Sequence, residues 1–179
     1  MTEDLLKKWS GTGTEIEAMK EKKAVITTSL GTILLGFFPE KAPNHVASFF
    51  ALVEQGFYDG TLIHRVVPNF IVQGGDPNSR DGERKRFGTG GPGYCLVAEI
   101  NDHRHLRGTV AMARSASLDS GGSQFFINLA DNPSLDGQYT VFGEVLEGME
   151  VVEQIAKTER DKNDIPLEDI RMTIKLTGT

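Results

Sequence analysis

The stretch Ile63-His64-Arg65-Val66-Val67-Pro68-Asn69-Phe70-Ile71-Val72-Gln73-Gly74-Gly75-Asp76-Pro77 constrains the fold of this chain most. It is apolar and rich in β-branched residues, the composition of buried strands. One permanent cation, Arg65, and one neutral amide, Gln73, interrupt it. A guanidinium is seldom fully buried without a partner. The run therefore implies a site that sets a fixed donor against an apolar wall. Downstream, Ser123-Gln124-Phe125-Phe126-Ile127 again places a neutral amide beside aromatics.

With 179 residues, a hydrophobic fraction of 39% and a charged fraction of 25%, the chain reads as one ordinary globular domain. Its 20 glycines favour tight turns and a β-rich fold. A net charge of -6 argues against nucleic acid as the main partner, because phosphate binding needs a basic surface. The single cysteine, Cys95, has no internal disulfide partner, which fits a reducing compartment. Residues Met1 to Trp9 lack the basic and apolar regions of a secretory signal. No apolar run approaches the ~20 residues of a membrane span. A cytoplasmic chain without membrane or nucleic-acid partners, and a monomer, is expected.

Along the chain, Glu3 to Trp9 is read as a short helix stopped by Gly11 and Gly13, and the Thr14–Glu17 spacing as a capping box opening a second. Both are marginal unless packed on the domain, and a surface appendage is expected. Ala24–Leu30 and Thr32–Phe38 read as strands joined at Gly31. Pro43 suits the first turn of a helix whose apolar stripe is Val46, Phe49, Phe50 and Val53, with Gly56 as its stop. Short strands are predicted at Leu62–Val67, Phe70–Gly74, Cys95–Ile100, Val110–Arg114, Gln124–Leu129 and Thr140–Val145. A helix from Met149 to Thr158 and a last strand over Ile170–Leu176 complete the set. Many strands and few helices indicate a sandwich or a barrel, and pattern alone does not choose.

Several motifs in order closely resemble the cyclophilin family of peptidyl-prolyl cis-trans isomerases, in details more like its bacterial branch. They are the Ile63–Asp76 segment, Gly88-Thr89-Gly90-Gly91, Met112-Ala113-Arg114, Gly122–Ile127, Leu135-Asp136-Gly137 and Val141-Phe142-Gly143. The resemblance spans about Lys23 to Leu176 and implies an N-terminal extension, 1–22, before a cyclophilin-like domain, 23–179. The fold it implies is mainly β: a closed eight-stranded antiparallel barrel capped by two helices, with a short helical extension. It implies an isomerase acting on X-Pro bonds in peptides and unfolded clients, with no cofactor or metal. The alternative is a proline-peptide binding or chaperone module with little turnover.

The amide barrier is about 18–20 kcal/mol, so unaided X-Pro bonds rotate in tens to hundreds of seconds. A catalyst needs an apolar pocket for the pyrrolidine ring, a donor near the prolyl nitrogen or carbonyl oxygen, and groups that hold the flanking peptide. By resemblance, Arg65 is the catalytic donor; read alone, it is as well explained as a structural arginine paired with Glu99 or Asp76. Phe70, Ile71, Phe126, Leu135 and Tyr139 match the proline pocket, though each also fits plain core. Gln73 and Gln124 match the amides that orient the backbone and the arginine. Ala113, Arg114 and Ser115 match a segment that pairs with substrate like an added strand, and Gly88 borders a neighbouring side-chain pocket.

Three positions depart from the family pattern. Ser134 stands where a tryptophan is frequent, and that indole helps hold cyclosporin, so weakened cyclosporin binding is expected. Tyr139 replaces a frequent histidine, and Arg114 a frequent asparagine. The loop Ser115–Gly121 is one residue longer than in eukaryotic relatives.

Other signals are discounted. Gly88–Gly93 satisfies G-x-G-x-x-G but lacks the strand before and helix after it. His103 and His105, beside Asp102 and Arg104, read as a surface turn. Ser123 is not in a nucleophile elbow. Glu83–Arg86 reads as a solvated charge run.

Overall fold

The computed structural model describes Leu6–Lys7 and residues 11–178. Its strands are β1 (Leu6–Lys7), β2 (Lys23–Thr28), β3 (Gly31–Phe37), β4 (Leu62–Val67), β5 (Ile71–Asp76), β6 (Cys95–Leu96), β7 (Thr109–Met112), β8 (Phe125–Asn128), β9 (Val141–Glu147) and β10 (Met172–Thr177). Its helices are α1 (Gly13–Glu21), α2 (Pro43–Glu54) and α3 (Met149–Ala156).

Eight strands form one antiparallel sheet in the order β10-β2-β3-β9-β7-β8-β5-β4. The sheet curls until its two edge strands meet at one corner. There Leu62 bridges Arg171, and the Ile63 N–H reaches the Ile170 carbonyl at 2.9 Å. The mainly β fold is as expected, but a fully closed barrel overstates it: β4 and β10 share a corner rather than a ladder.

Alternation with period 2 splits the side chains of the sheet into two apolar clusters. Val72, Val110, Phe125, Ile127 and Phe142 point into the main core. There the Phe49 ring of α2 has its centroid 5.2–5.7 Å from those of Phe37, Tyr58, Phe125 and Phe142. Their neighbours Ile71, Ala111, Phe126 and Val141 form a second, smaller cluster on the other face, with Phe70, Ala113, Leu135 and Tyr139 packed against it. The candidate site stands on this second cluster.

Helix α2 has Pro43 at its start and buries all of Val46, Phe49, Phe50 and Val53. At its end the Gly56 N–H bonds the Val53 carbonyl and the Phe57 N–H the Leu52 carbonyl, a Schellman closure that uses the left-handed Gly56 (φ +67°).

The N-terminal segment differs from expectation. Leu6–Lys7 is a strand, pairing in parallel with Cys95–Leu96, and the rest of the helix expected over Glu3–Trp9 lies outside the described residues. The capping box is Thr12 with Glu15, not Thr14 with Glu17: the Glu15 N–H reaches Thr12 Oγ1 at 3.4 Å and the Thr12 N–H reaches Glu15 Oε2 at 2.6 Å. Met19 of this helix is buried in the main core, so α1 lies on the domain. The strand expected over Cys95–Ile100 shortens to Cys95–Leu96.

Candidate active site

One line of register carries the site across five strands. Arg65 faces Gln73, Gln73 faces Phe126, Phe126 faces Ala111, and Ala111 faces Val141. A bulge sets the first step: Ile63 pairs with Gly74 and Arg65 with Gln73, leaving His64 as the extra residue. Bulges re-aim side chains, and this one puts Arg65 beside Gln73. Arg65 is exposed. Its neighbours His64 and Val66 are buried.

A chain of hydrogen bonds runs from it. Arg65 Nη1 donates to Gln73 Oε1 at 3.3 Å, Gln73 Nε2 to Gln124 Oε1 at 3.1 Å, and Gln124 Nε2 to the Gly90 carbonyl at 2.8 Å. An amide accepts at one end and donates at the other, so two glutamines pass orientation along without adding charge. The two acids considered as partners for Arg65 are engaged elsewhere. Glu99 accepts from the Asn44 and His45 N–H groups and meets His45 Nδ1 at 2.5 Å. Buried Asp76 accepts from the backbone N–H groups of Asn78, Gly88 and Gly90.

Beside the arginine is a pocket of about 150 Å³, lined by Phe70, Ile71, Ala113, Phe126, Leu135 and Tyr139, with Arg65, Gln73 and Arg114 at its rim. Such a volume suits one small ring rather than a drug-sized ligand. All five residues read as pocket or plain core thus come together in one wall. The Tyr139 ring stands edge-on to Phe126, with centroids 5.5 Å apart. Arg114 lies over Tyr139, 4.8 Å from its centroid, and its Nε donates to the Gln138 carbonyl.

Gly88, Ala113, Ser115 and Gln124 line a neighbouring cavity of about 320 Å³; of these only Ala113 also reaches the smaller pocket. The Ala113 N–H is bonded to the Gln124 carbonyl and the Ser115 N–H to Ser120 Oγ. Both N–H groups are thus already engaged within the chain.

Residues that sequence reasoning passed over hold the wall. His105 is buried, which corrects the surface turn expected there. Its N–H donates to Asp136 Oδ1 at 2.7 Å, its Nδ1 lies 3.1 Å from the same oxygen, and its ring stacks near Phe126. Asn132 Nδ2 donates to the Phe70 carbonyl at 3.1 Å. Together they pin the turn that carries Leu135 and Tyr139. The Leu135-Asp136-Gly137 motif was the available signal for Asp136. The run at Glu83–Arg86 is not merely solvated: Arg84 donates to the Pro166 and Leu167 carbonyls at 2.7 and 2.8 Å.

Burial holds both His64 and His105 below the usual imidazole range. Neither ring nitrogen of His64 reaches a partner at hydrogen-bonding geometry, though Asp76, the Leu62 backbone and Gln124 offset part of the burial effect. For His105 the offset comes from Asp136. The unfolded chain takes up these protons near pH 6.5, before the folded one does. Stability present at pH 7 is therefore lost as pH falls below about 6.5, with each histidine adding at most about 1.4 kcal/mol per pH unit. Asp136 is held below the usual carboxylate range, chiefly by the His105 N–H, so its contribution disappears only at lower pH. Urea unfolding at pH 7 and pH 5 is expected to show the loss; equal midpoints would contradict it.

The fold and the site define a class: a curled antiparallel sheet bearing a ring-sized apolar pocket and an arginine held by amides. The family model described as cyclophilin type peptidyl-prolyl cis-trans isomerase/CLD matches residues 23–175. A peptidyl-prolyl cis-trans isomerase of Synechococcus elongatus is 46% identical over 140 residues, covering 77% of this chain and 91% of its own length. One from Helicobacter pylori is 42% identical over 145 residues, covering 79% and 84%. The crystal structure of a Cryptosporidium parvum cyclophilin-type isomerase, determined in the presence of the dipeptide Ala-Pro, superposes with a TM-score of 0.80 at 29% identity, covering 88% of this chain and 99% of its own. This chain belongs to the cyclophilin-type peptidyl-prolyl cis-trans isomerases.

Proposed function

We propose that the chain accelerates rotation about X-Pro bonds, with the proline ring in the pocket lined by Phe70, Ile71, Phe126, Leu135 and Tyr139 and with Arg65 as the donor. One observation carries the assignment of roles: a guanidinium without a carboxylate partner among the described residues stands at the lip of a ring-sized apolar pocket. As the bond twists, amide resonance is lost and the prolyl nitrogen regains a lone pair. A donor placed there stabilises the twisted state more than either planar state, which is the condition for a rate effect. Gln73 orients Arg65, and Gln124 fixes Gln73. Ala113, Arg114, Ser115 and Gly88 hold the flanking peptide. The chemistry needs neither cofactor nor metal.

The test is isomerisation of a proline tetrapeptide. Faster relaxation in proportion to added protein is expected. Tight peptide binding without acceleration would instead make the chain a proline-peptide binding or chaperone module, the reading left open by Ser134 beside the pocket and Tyr139 in its wall.

Ser134 is exposed on the turn Pro133–Leu135 beside the pocket. A hydroxymethyl offers little apolar area there, so cyclosporin is expected to inhibit weakly and Ser134→Trp to inhibit at least tenfold more tightly. Nanomolar inhibition of the wild type would refute this.

Proline-containing peptides and flexible client segments are the proposed partners, and the proposed state is a monomer. Among the described residues no helix is long and apolar enough to cross a membrane. A reducing compartment, the cytoplasm, is proposed from the single cysteine. We also propose the division into an extension, 1–22, and a domain, 23–179; limited proteolysis that removes the extension and leaves a folded core would support it.

A further inference from the structure

Three cavities adjoin one another around Gln73. Four cations, Arg65, Arg84, Lys85 and Arg114, line them, and among the described residues no Asp or Glu does. The chain as a whole carries 25 acids against 19 lysines and arginines. The groove thus reverses the sign of its own protein, an arrangement that focuses field on a cleft.

The reversal is strongest in the cavity of about 360 Å³ that shares Arg65 and Gln73 with the apolar pocket, where Arg65, Arg84 and Lys85 meet His64 and Asn163. His64 is buried and lines this cavity with neither ring nitrogen matched at hydrogen-bonding geometry. The Arg84 charge is fixed by its two carbonyl bonds, with Asp169 at 3.7 Å. Lys85 is exposed and lies 3.4 Å from Glu83. Neither acid lines the cavity.

We infer that this cavity is a subsite for an anionic group on the peptide near its proline: the carboxylate of an acidic side chain or of the peptide's C-terminus. A carboxylate only accepts, whereas Arg65, Lys85 and Asn163 can all donate. Phe87 and Ile165 line the same cavity and suit the aliphatic stem of such a side chain. The inference rests on the reading of the adjacent pocket as the proline site.

The experiment uses the full chain and proline tetrapeptides blocked at both ends, with Glu, Gln or Lys on either side of the X-Pro pair, plus one Gln peptide with a free C-terminus. Exposed ion pairs are modest, so kcat/KM for a Glu peptide is expected to exceed its Gln counterpart roughly two- to fivefold at low salt. Lys is expected to fall below Gln, and the preference to fade in 0.5 M salt as the Debye length shrinks. Lys85→Glu is expected to bring the Glu/Gln ratio to one or below, while Arg114→Gln keeps it above one. A gain confined to the free-C-terminus peptide would assign the subsite to chain ends. Equal rates for all blocked peptides and the free-C-terminus peptide, or a preference that survives Lys85→Glu and vanishes in Arg114→Gln, would overturn the subsite while leaving the isomerase intact. No turnover of any peptide would instead overturn the isomerase reading on which it rests.

Discussion

Arg65→Ala is expected to lower kcat/KM for a proline tetrapeptide about a hundredfold while leaving the fold intact. Removing one preorganised donor from a charge-developing site typically costs 10²–10³ in rate, and a hundredfold corresponds to about 2.7 kcal/mol of transition-state stabilisation. The fall should sit mainly in kcat, because the donor matters most once the amide has twisted and the apolar pocket still receives the ring. Stability should change by no more than about 0.5 kcal/mol, since Arg65 is exposed and its side-chain bond is to Gln73. Arg65→Lys keeps the charge but not the planar fork and should fall between. Rates of wild type, Arg65→Lys and Arg65→Ala by a proline-isomerisation assay, with urea midpoints for each, test the role. An alanine variant within threefold of wild type would remove Arg65 from it.

Asp76→Ala is expected to have the largest effect on stability, about 3 kcal/mol. The carboxylate is fully buried and gathers the N–H groups of Asn78, Gly88 and Gly90. Hydrogen bonds to a charged group contribute about 1.5–3 kcal/mol each, and water can recover part of the loss at the exposed Gly88. Two glycines show how tightly the region is built. Gly75 has φ +88°, and a Cβ there would stand 2.5 Å from the Ser123 carbonyl oxygen; one on Gly90 would stand 2.2 Å from Asp76 Oδ1. The effect should reach the site, because the Gly90 carbonyl anchors Gln124, which anchors Gln73 and then Arg65. A misplaced donor costs rate steeply, so activity at a temperature where the variant is still folded should fall about tenfold. Asp76→Asn, isosteric but with one oxygen replaced by a donor, should be intermediate. Urea midpoints and rates for both variants decide. Wild-type stability in Asp76→Ala would show that the carboxylate is not the anchor.

The strands were legible because their signal is local. Residues 62–67, 71–76 and 141–147 alternate or run apolar whatever they pair with, and Pro43 and Gly56 mark the ends of a helix by their own backbone preferences. Errors fall where the answer lay far away in sequence. Leu6–Lys7 looks helical until Cys95–Leu96 offers it an edge. His105 sits among polar residues and looks exposed until Asp136 and Phe126 close over it. Asp76 looks like a partner for Arg65 until three N–H groups surround it.

By itself, the sequence determined the residue types of the site and their order: an arginine and two glutamines set among aromatic and β-branched residues, with departures at Ser134, Tyr139 and Arg114. Period-2 alternation is written into local sequence, so the inward set and the outward set were both present there. The tertiary structure alone decided which outward residues become neighbours. The bulge at His64 and the registers of β4, β5, β8, β7 and β9 bring Arg65, Gln73, Phe126, Ala111 and Val141 into one row. Register is a property of paired strands, and so is the cationic lining gathered from distant segments. Neither has a local signature to read.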